Sequence, residues 1–495
     1  MRIDKFYRDS IILTLSNLVT GIIGFIFSIV LSKNLGAEGL GLYGIIMPVY
    51  GLLLSLTSDG LVTAISKVSA VYYSRKDFRN LRRTMTTIFA FIFLWSLSIA
   101  FLVFINASNI CAYIIKDPRV ADAIRIVCPA LLFVPMSAIL KGYFYGMGKY
   151  KTPALIDSME KMFRIIILLG TITILSLQEV RSTVTAAYFA LSIGEFISFL
   201  LLYTFYRATR NKSKSGRSKS ESRIQLLFNV LVISSPICLN SVISSIIATA
   251  STLALPRMLV FTGISYDSAL ALIGKFMGMA MNIVYLPFVI VGSLLTVLIP
   301  DLSLSISRND SWATESRIAQ VLKICYLLGI STLIVALTIP DSLGILFYNR
   351  TDLGWMIRFS AICCFISYVS APTFGILNGL GKQNLNLKNS LIVSVQGLIL
   401  IVIFTGIPGI NIYGYGISMI ITSLTALFMN LNAIRKYCDL RLPISEMATY
   451  TGIGVFSYLV LMFFDNLLSG SLLAIEVGLT TFLGFFLVFF LSRFV

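Results

Sequence analysis

Fourteen apolar runs, each long enough to cross about 30 Å of hydrocarbon, leave this sequence little else to fold into. They fall near 10–32, 41–66, 84–105, 123–145, 154–176, 184–206, 225–253, 268–299, 318–338, 355–378, 389–404, 412–431, 447–464 and 472–492. We read them as helices 1 to 14 of an all-α polytopic membrane protein. Composition agrees: 57% of residues are hydrophobic and only 12% charged. No soluble globule needs that much apolar surface, so the apolar solvent is lipid. The first run is long enough to span and lacks a small-residue cleavage site, so no cleavable signal peptide is expected.

Orientation follows from the connections, because Lys and Arg accumulate on the cytoplasmic side. With the amino terminus inside, the inner segments hold Arg2, Lys5, Arg8, Lys67, Arg75, Lys76, Lys149, Lys151, Lys382, Lys388 and most of the rest. The outer ones hold only Lys33, Lys116, Arg119, Arg181, Arg257 and Arg350. Both termini are therefore predicted to be cytoplasmic, in a bacterial cytoplasmic membrane. The net charge of +17 is a topology signal: basic residues spread over many inner segments make no single face for nucleic acid. The stretch 207–223 (RATRNKSKSGRSKSESR) is polar, Ser-rich and basic. It reads as a flexible cytoplasmic linker or as a grip on anionic membrane lipids.

That linker separates two similar halves. A shift of 233 positions aligns Gly142, Gly146, Gly148 and Lys149 with Gly375, Gly379, Gly381 and Lys382, a shared G-x-x-x-G-x-G-K. The same shift pairs Thr63 with Thr296, Ser74 with Ser307, Arg75 with Arg308, Asp77 with Asp310, Arg125 with Arg358, Ser137 with Ser370 and Ala138 with Ala371. Six helices is an even number, so both copies enter the membrane from one side and the repeats are parallel. The expected organisation is an N-terminal six-helix lobe over 1–206, the linker, a C-terminal lobe over 224–438, and extra helices 13 and 14 over 439–495. Two such lobes around a central cavity suit alternating access. Pro129, Pro135, Pro236 and Pro287 fall within the spans and mark candidate bends.

Catalytic chemistry is poorly provided for. Histidine is absent, and the seven cysteines lie mostly in apolar runs without metal-type or CxxC spacing. Neither an enzyme nor a metal or other cofactor is expected. Ionisable residues inside the spans say more, because a charge in lipid costs about 3 kcal/mol and so faces protein or water. Lys275 lies deep in helix 8 and is a candidate cavity cation. On helix 5, Asp157, Glu160, Lys161 and Arg164 share one face at i, i+3, i+4, i+7 spacing. Asp157 can reach Lys161, and Glu160 can reach Arg164. Either this is a self-neutralised stripe packed within the first lobe, or Arg164 meets an anionic substrate. Asp59 in helix 2 and Glu195 in helix 6 are candidates for proton or cation coupling, or for buried ion pairs. Arg125 and Arg358, at matching outer ends of helices 4 and 10, are interface anchors or parts of an outer gate. Asn17 and Asn240, in corresponding helices 1 and 7, would hydrogen-bond substrate or join helices.

The segments 31–43 (LSKNLGAEGLGLY) and 60–77 (GLVTAISKVSAVYYSRKD) resemble the polysaccharide-transporter branch of the multidrug/oligosaccharidyl-lipid/polysaccharide exporter superfamily. Within it, 140–164 (LKGYFYGMGKYKTPALIDSMEKMFR) looks most like the stage V sporulation protein B and lipid II flippase group. The resemblance implies a flippase for an undecaprenyl-linked saccharide or peptidoglycan-type precursor, with a cationic cavity holding the pyrophosphate. By similarity, Lys275 stands where helix 8 contributes a cavity cation. Lys33 replaces an Arg common in the family at the end of helix 1. The alternative within transport is a cation-coupled multidrug exporter, which commonly wants a carboxylate in helix 1; the span 10–32 has none. A non-transporting scaffold for envelope or spore cortex assembly, with envelope-assembly proteins as partners, is the reading outside transport.

Overall fold

Every described element is helical, as hydrocarbon demands of a backbone that must satisfy its own polar groups. The computed structural model describes residues 5–211, 221–307, 310–438, 444–468 and 472–493. Residues 212–220 of the basic linker, Arg308 and the 439–443 junction before helix 13 lie outside them. Twelve stretches among the described residues are long and apolar enough to cross a membrane. One of them, Thr14–Ser74, is 61 residues long and contains the expected helices 1 and 2. Lys151–Ile174, the expected helix 5, is not among the twelve, because four charges crowd its first half.

The chain divides into two compact units, Met1–Leu253 and Ala254–Val495. The first holds α1 (Lys5–Thr57), α2 (Leu61–Ser74), α3 (Phe78–Asn109), α4 (Ala121–Val127), α5 (Ala130–Gly146), α6 (Lys151–Ile174), α7 (Val180–Asn211) and most of α8 (Arg223–Phe261). The second holds α9 (Tyr266–Ile273), α10 (Met281–Tyr285), α11 (Phe288–Ser307), α12 (Ser311–Thr338), α13 (Pro340–Tyr348), α14 (Gly354–Gly379), α15 (Gln383–Thr405), α16 (Tyr413–Arg435), α17 (Ile444–Leu468) and α18 (Leu473–Leu491).

Helices 1 and 2 are joined without a loop. α1 turns at Gly36, whose φ of 68° is a conformation that costs a residue with a Cβ but not glycine. The prolines act unequally. Pro129 and Pro287 stand at breaks before α5 and α11, whereas Pro135 and Pro236 ride inside α5 and α8. Packing and sequence repeat divide the chain differently by one helix. α8 begins the second copy, yet Leu226 and Val230 enter the core that α2, α3 and α5 build. The Cys238 thiol donates to the Ser55 carbonyl (3.2 Å), and the Thr249 hydroxyl to that of Pro48 (3.0 Å).

Several positions paired by the 233-residue shift play matching structural parts. Asp77 caps α3 by accepting from the Asn80 amide (3.1 Å), and Asp310 caps α12 through the Ala313 amide (2.9 Å), each satisfying an orphan donor of the first turn. A Cβ on Gly146 would lie 2.5 Å from the Ser66 carbonyl oxygen, and one on Gly379 would lie 2.9 Å from the Leu302 side chain. The motif thus lets α5 lie against α2, and α14 against α11, at backbone range, as small residues do in membranes. Gly148 and Gly381 follow with φ of 69° and 71°. α17 and α18 pack on α12, where Gly454 meets Ile330 and Gly484 meets Val335.

Outward side chains are apolar. Leu94, Phe101, Leu102 and Ile105 on α3, and Phe456, Phe463, Phe482 and Phe486 on α17 and α18, are exposed. Patches on this scale belong against acyl chains.

Candidate functional site

In the first unit the charges gather where α6 meets α1, α5 and α7. The α1–α6 seam is polar along its length. The Ser16 hydroxyl donates to the Ala154 carbonyl (3.2 Å), Thr20 bonds Ser158 (3.1 Å), and the Lys161 ammonium lies 3.7 Å from where a Gly24 Cβ would sit. Ser16, Thr20 and Gly24 recur every four residues and so form one stripe.

Deeper in the unit, Glu160 is 6% exposed and accepts two bonds from Arg164, at 2.8 and 2.5 Å. Arg164 also donates to Glu195 on α7 (3.2 Å) and lies 5.9 Å from the centre of the Phe27 ring. The i, i+4 pair expected of Glu160 and Arg164 is formed. Asp157, however, pairs with Lys141 on α5 at 2.7 Å. That leaves Lys161, half-buried, without an ion-pair partner among the described residues. Three cations face three carboxylates here, and Lys161 alone balances them at longer range. Gly194 makes the arrangement possible, since a Cβ there would come within 2.8 Å of a Glu160 carboxylate oxygen.

Lys275 sits in a π-helical turn, Gly274–Ala280, directly after α9. Its side chain is 24% exposed and bonds Asp352 at 2.7 Å. Arg350 grips the same carboxylate with Nε and Nη2, both at 2.8 Å. Asp352 lies in the connection before α14, and its hydrogen bonds to Arg350, then Lys275, hold its carboxyl well below the usual range. The first unit has a counterpart with reversed signs: Arg119 bonds Asp117 (2.9 Å) and Glu38 (2.9 Å). At the 233-residue shift Asp117 falls on Arg350 and Arg119 on Asp352. Each clasp ties the connection before the fourth helix of its half to the chain at or within its second helix. One carries a net negative charge, the other a net positive one.

The remaining candidates are dispersed. Arg125 donates to Ser108 (2.8 Å) and to Asp122 (3.4 Å), and Asp122 also takes Arg181. Arg358 is exposed one turn into α14 and makes no ion pair among the described residues. Asp59 lies in the break between α1 and α2, half-buried, and likewise forms no ion pair among the described residues. Asn17 is exposed on α1. The Asn240 side-chain oxygen is buried on α8 without a hydrogen-bond partner. Among the described residues no group of three or more Cys, Asp or Glu is arranged to hold a metal.

Sequence reasoning missed Lys141, Gly194 and both clasps. Nothing local marks Lys141 as the partner of Asp157. The clasps did carry a signal, since acid and base two apart recur with reversed order at the repeat distance.

A model of the polysaccharide biosynthesis protein family matches residues 6–305. Stage V sporulation protein B of Bacillus subtilis (strain 168) is 23% identical over 90% of this chain and 86% of its own length. Lipid II flippase MurJ of the same organism is 27% identical over 43% of this chain and 40% of its own. Among solved structures, lipid II flippase MurJ in an inward closed conformation superposes with a TM-score of 0.72 at 15% identity, covering 98% of both chains. An inward-facing multidrug resistance MATE family transporter of the MOP superfamily superposes with a TM-score of 0.65 at 16% identity, over 86% of this chain and 96% of that one.

Proposed function

The chain belongs to the polysaccharide biosynthesis protein family, a multi-pass transporter of flippase type in the bacterial inner membrane, and from that premise we propose that its cargo is an undecaprenyl-linked saccharide or peptidoglycan-type precursor. The observation that carries this reading is Lys161, a half-buried ammonium on a polar helix seam with no carboxylate in ion-pair range among the described residues. An ammonium balanced only at longer range by carboxylates that Lys141 and Arg164 already hold has room for a closer counter-ion, and a lipid-linked pyrophosphate is such a counter-ion. Lys275 is the second cation of the proposal, its charge shared with Asp352. Arg164 is already saturated by two carboxylates, so in this reading it holds α6 and α7 in place.

Alternating access then divides the substrate. The polyprenyl tail stays among acyl chains while the headgroup enters a hydrated path, where fixed positive charge offsets the desolvation of phosphate. With the cell interior negative, an anion moving outward gains about 2.3 kcal/mol per charge per 100 mV, so membrane potential can bias the direction. The carboxylates of buried Glu160 and half-buried Glu195 are engaged by Arg164, which leaves them poor ligands for a cationic drug.

The test is reconstitution of the full chain with a fluorescent undecaprenyl-pyrophosphoryl saccharide, scored for headgroup accessibility from each face. Lys161→Ala should slow translocation by tenfold or more and Lys161→Arg should retain most of it, with Lys275→Ala intermediate. Equal rates for the parent and both alanine variants would refute the assignment. Absence of any flipping, with stable protein, would favour the scaffold reading.

A further inference from the structure

We propose that the first unit carries a binding site for an anionic phospholipid, a phosphodiester headgroup with acyl chains, in a groove between α2 and the start of α8. The groove encloses about 400 Å³. One wall bears Lys67 and Arg75, two turns apart and so about 12 Å from each other along α2. Both are exposed, and neither forms an ion pair among the described residues. The other wall is apolar and also exposed: Phe228 and Val232, one turn apart on α8, face Val71 between the two cations.

The end of the groove is built, not incidental. The Glu221 backbone N–H donates to the Asn80 side-chain oxygen (3.1 Å), and Tyr72, whose ring is buried, donates its hydroxyl to the Glu221 carboxylate (2.8 Å). Asn80 is itself fixed by the Asp77 carboxylate (2.7 Å). Glu221 therefore cannot swing away, and the groove holds two positive charges and one negative. A net charge of one matches a phosphodiester. It opposes a monoester or pyrophosphate, which bring more negative charge close to Glu221. Arg75 directly follows the long Thr14–Ser74 span and Lys67 lies in its last two turns, a position suited to a headgroup, with Phe228 and Val232 exposed beside them for acyl chains. Basic pockets between membrane helices at that depth select anionic headgroups. This site is independent of the transported cargo.

The experiment uses the full chain in phosphatidylcholine nanodiscs with spin-labelled phosphatidylglycerol or spin-labelled phosphatidylcholine, the protein-bound fraction being read by electron paramagnetic resonance. Phosphatidylglycerol should associate more strongly. The preference should fall about fivefold for each charge removed in Lys67→Gln and Arg75→Gln, and survive in Lys67→Arg. Val232→Trp, which fills the groove and leaves its charges in place, should also abolish it. Undecaprenyl phosphate should compete poorly against the parent and better against Glu221→Gln. Equal association of the two lipids, or an unchanged preference in both the double glutamine variant and Val232→Trp, would overturn the proposal. Competition by undecaprenyl phosphate at or below the concentration of phosphatidylglycerol would identify a substrate-lipid site instead and overturn it equally. Phosphatidylcholine association serves as the check that each variant is folded.

Discussion

Glu160 has little freedom: Arg164 holds its carboxylate from one side, and Gly194 leaves it no spare room from the other. Replacing Arg164 with Met strands two carboxylates that it had satisfied, and breaking a buried pair from one side costs about 3–5 kcal/mol. A lowered thermal midpoint in detergent is expected for Arg164→Met, partly recovered when Glu160→Gln is added. Gly194→Ala should also destabilise, by about 1–3 kcal/mol, the usual result of overpacking, and a midpoint equal to the parent's would count against the contact. Asp352 sits outside the spans and gives a pH signature. Its folded carboxyl is held down by Arg350 and Lys275, so its stabilisation is complete above the unfolded value near 3.9. It is lost only as pH falls below that value toward the folded one. The stability gap between the parent and Asp352→Asn is therefore expected to stay constant from pH 8 to 5 and to close only below about pH 4.

Between elements, the two G-x-x-x-G-x-G-K motifs do the same work with different tolerance. At Gly146 two of the obstructing atoms are backbone, the Ser66 carbonyl at 2.5 Å and the Ala70 nitrogen at 3.0 Å, and the third is the Ser69 Cβ at 2.6 Å, which no rotamer change can move; at Gly375 they all belong to the Leu295 side chain. A side chain can change rotamer, whereas a packed helix backbone cannot move without its neighbours. Gly146→Ala should accordingly lower the midpoint more than Gly375→Ala does, and the reverse order would show that Leu295 is rigidly held. The clasps invite a similar comparison. Lys275→Asp with Asp352→Lys preserves the pair's contact but places a second cation beside Arg350, so it should restore less stability than the single changes remove.

Flipping a pyrophosphate-linked substrate moves negative charge across the membrane. Dissipating an interior-negative potential should slow outward flipping of a pyrophosphate-linked substrate in vesicles, and an uncharged analogue should be indifferent. Equal sensitivity of both would remove potential as a driving term. Hydropathy alone identified a helical membrane chain, because long apolar runs admit no other backbone solution in lipid, and a constant offset of 233 exposed the duplication. Those inferences need only neighbours in sequence. Spacing along one helix likewise disclosed the Glu160–Arg164 pair. Tertiary structure alone decided the rest: Asp157 went to Lys141, α8 packed with the first unit, and Lys275 met a carboxylate seventy-seven positions away. Ion pairs form at the shortest distance in space, and once helices pack side by side that distance bears no relation to separation along the chain.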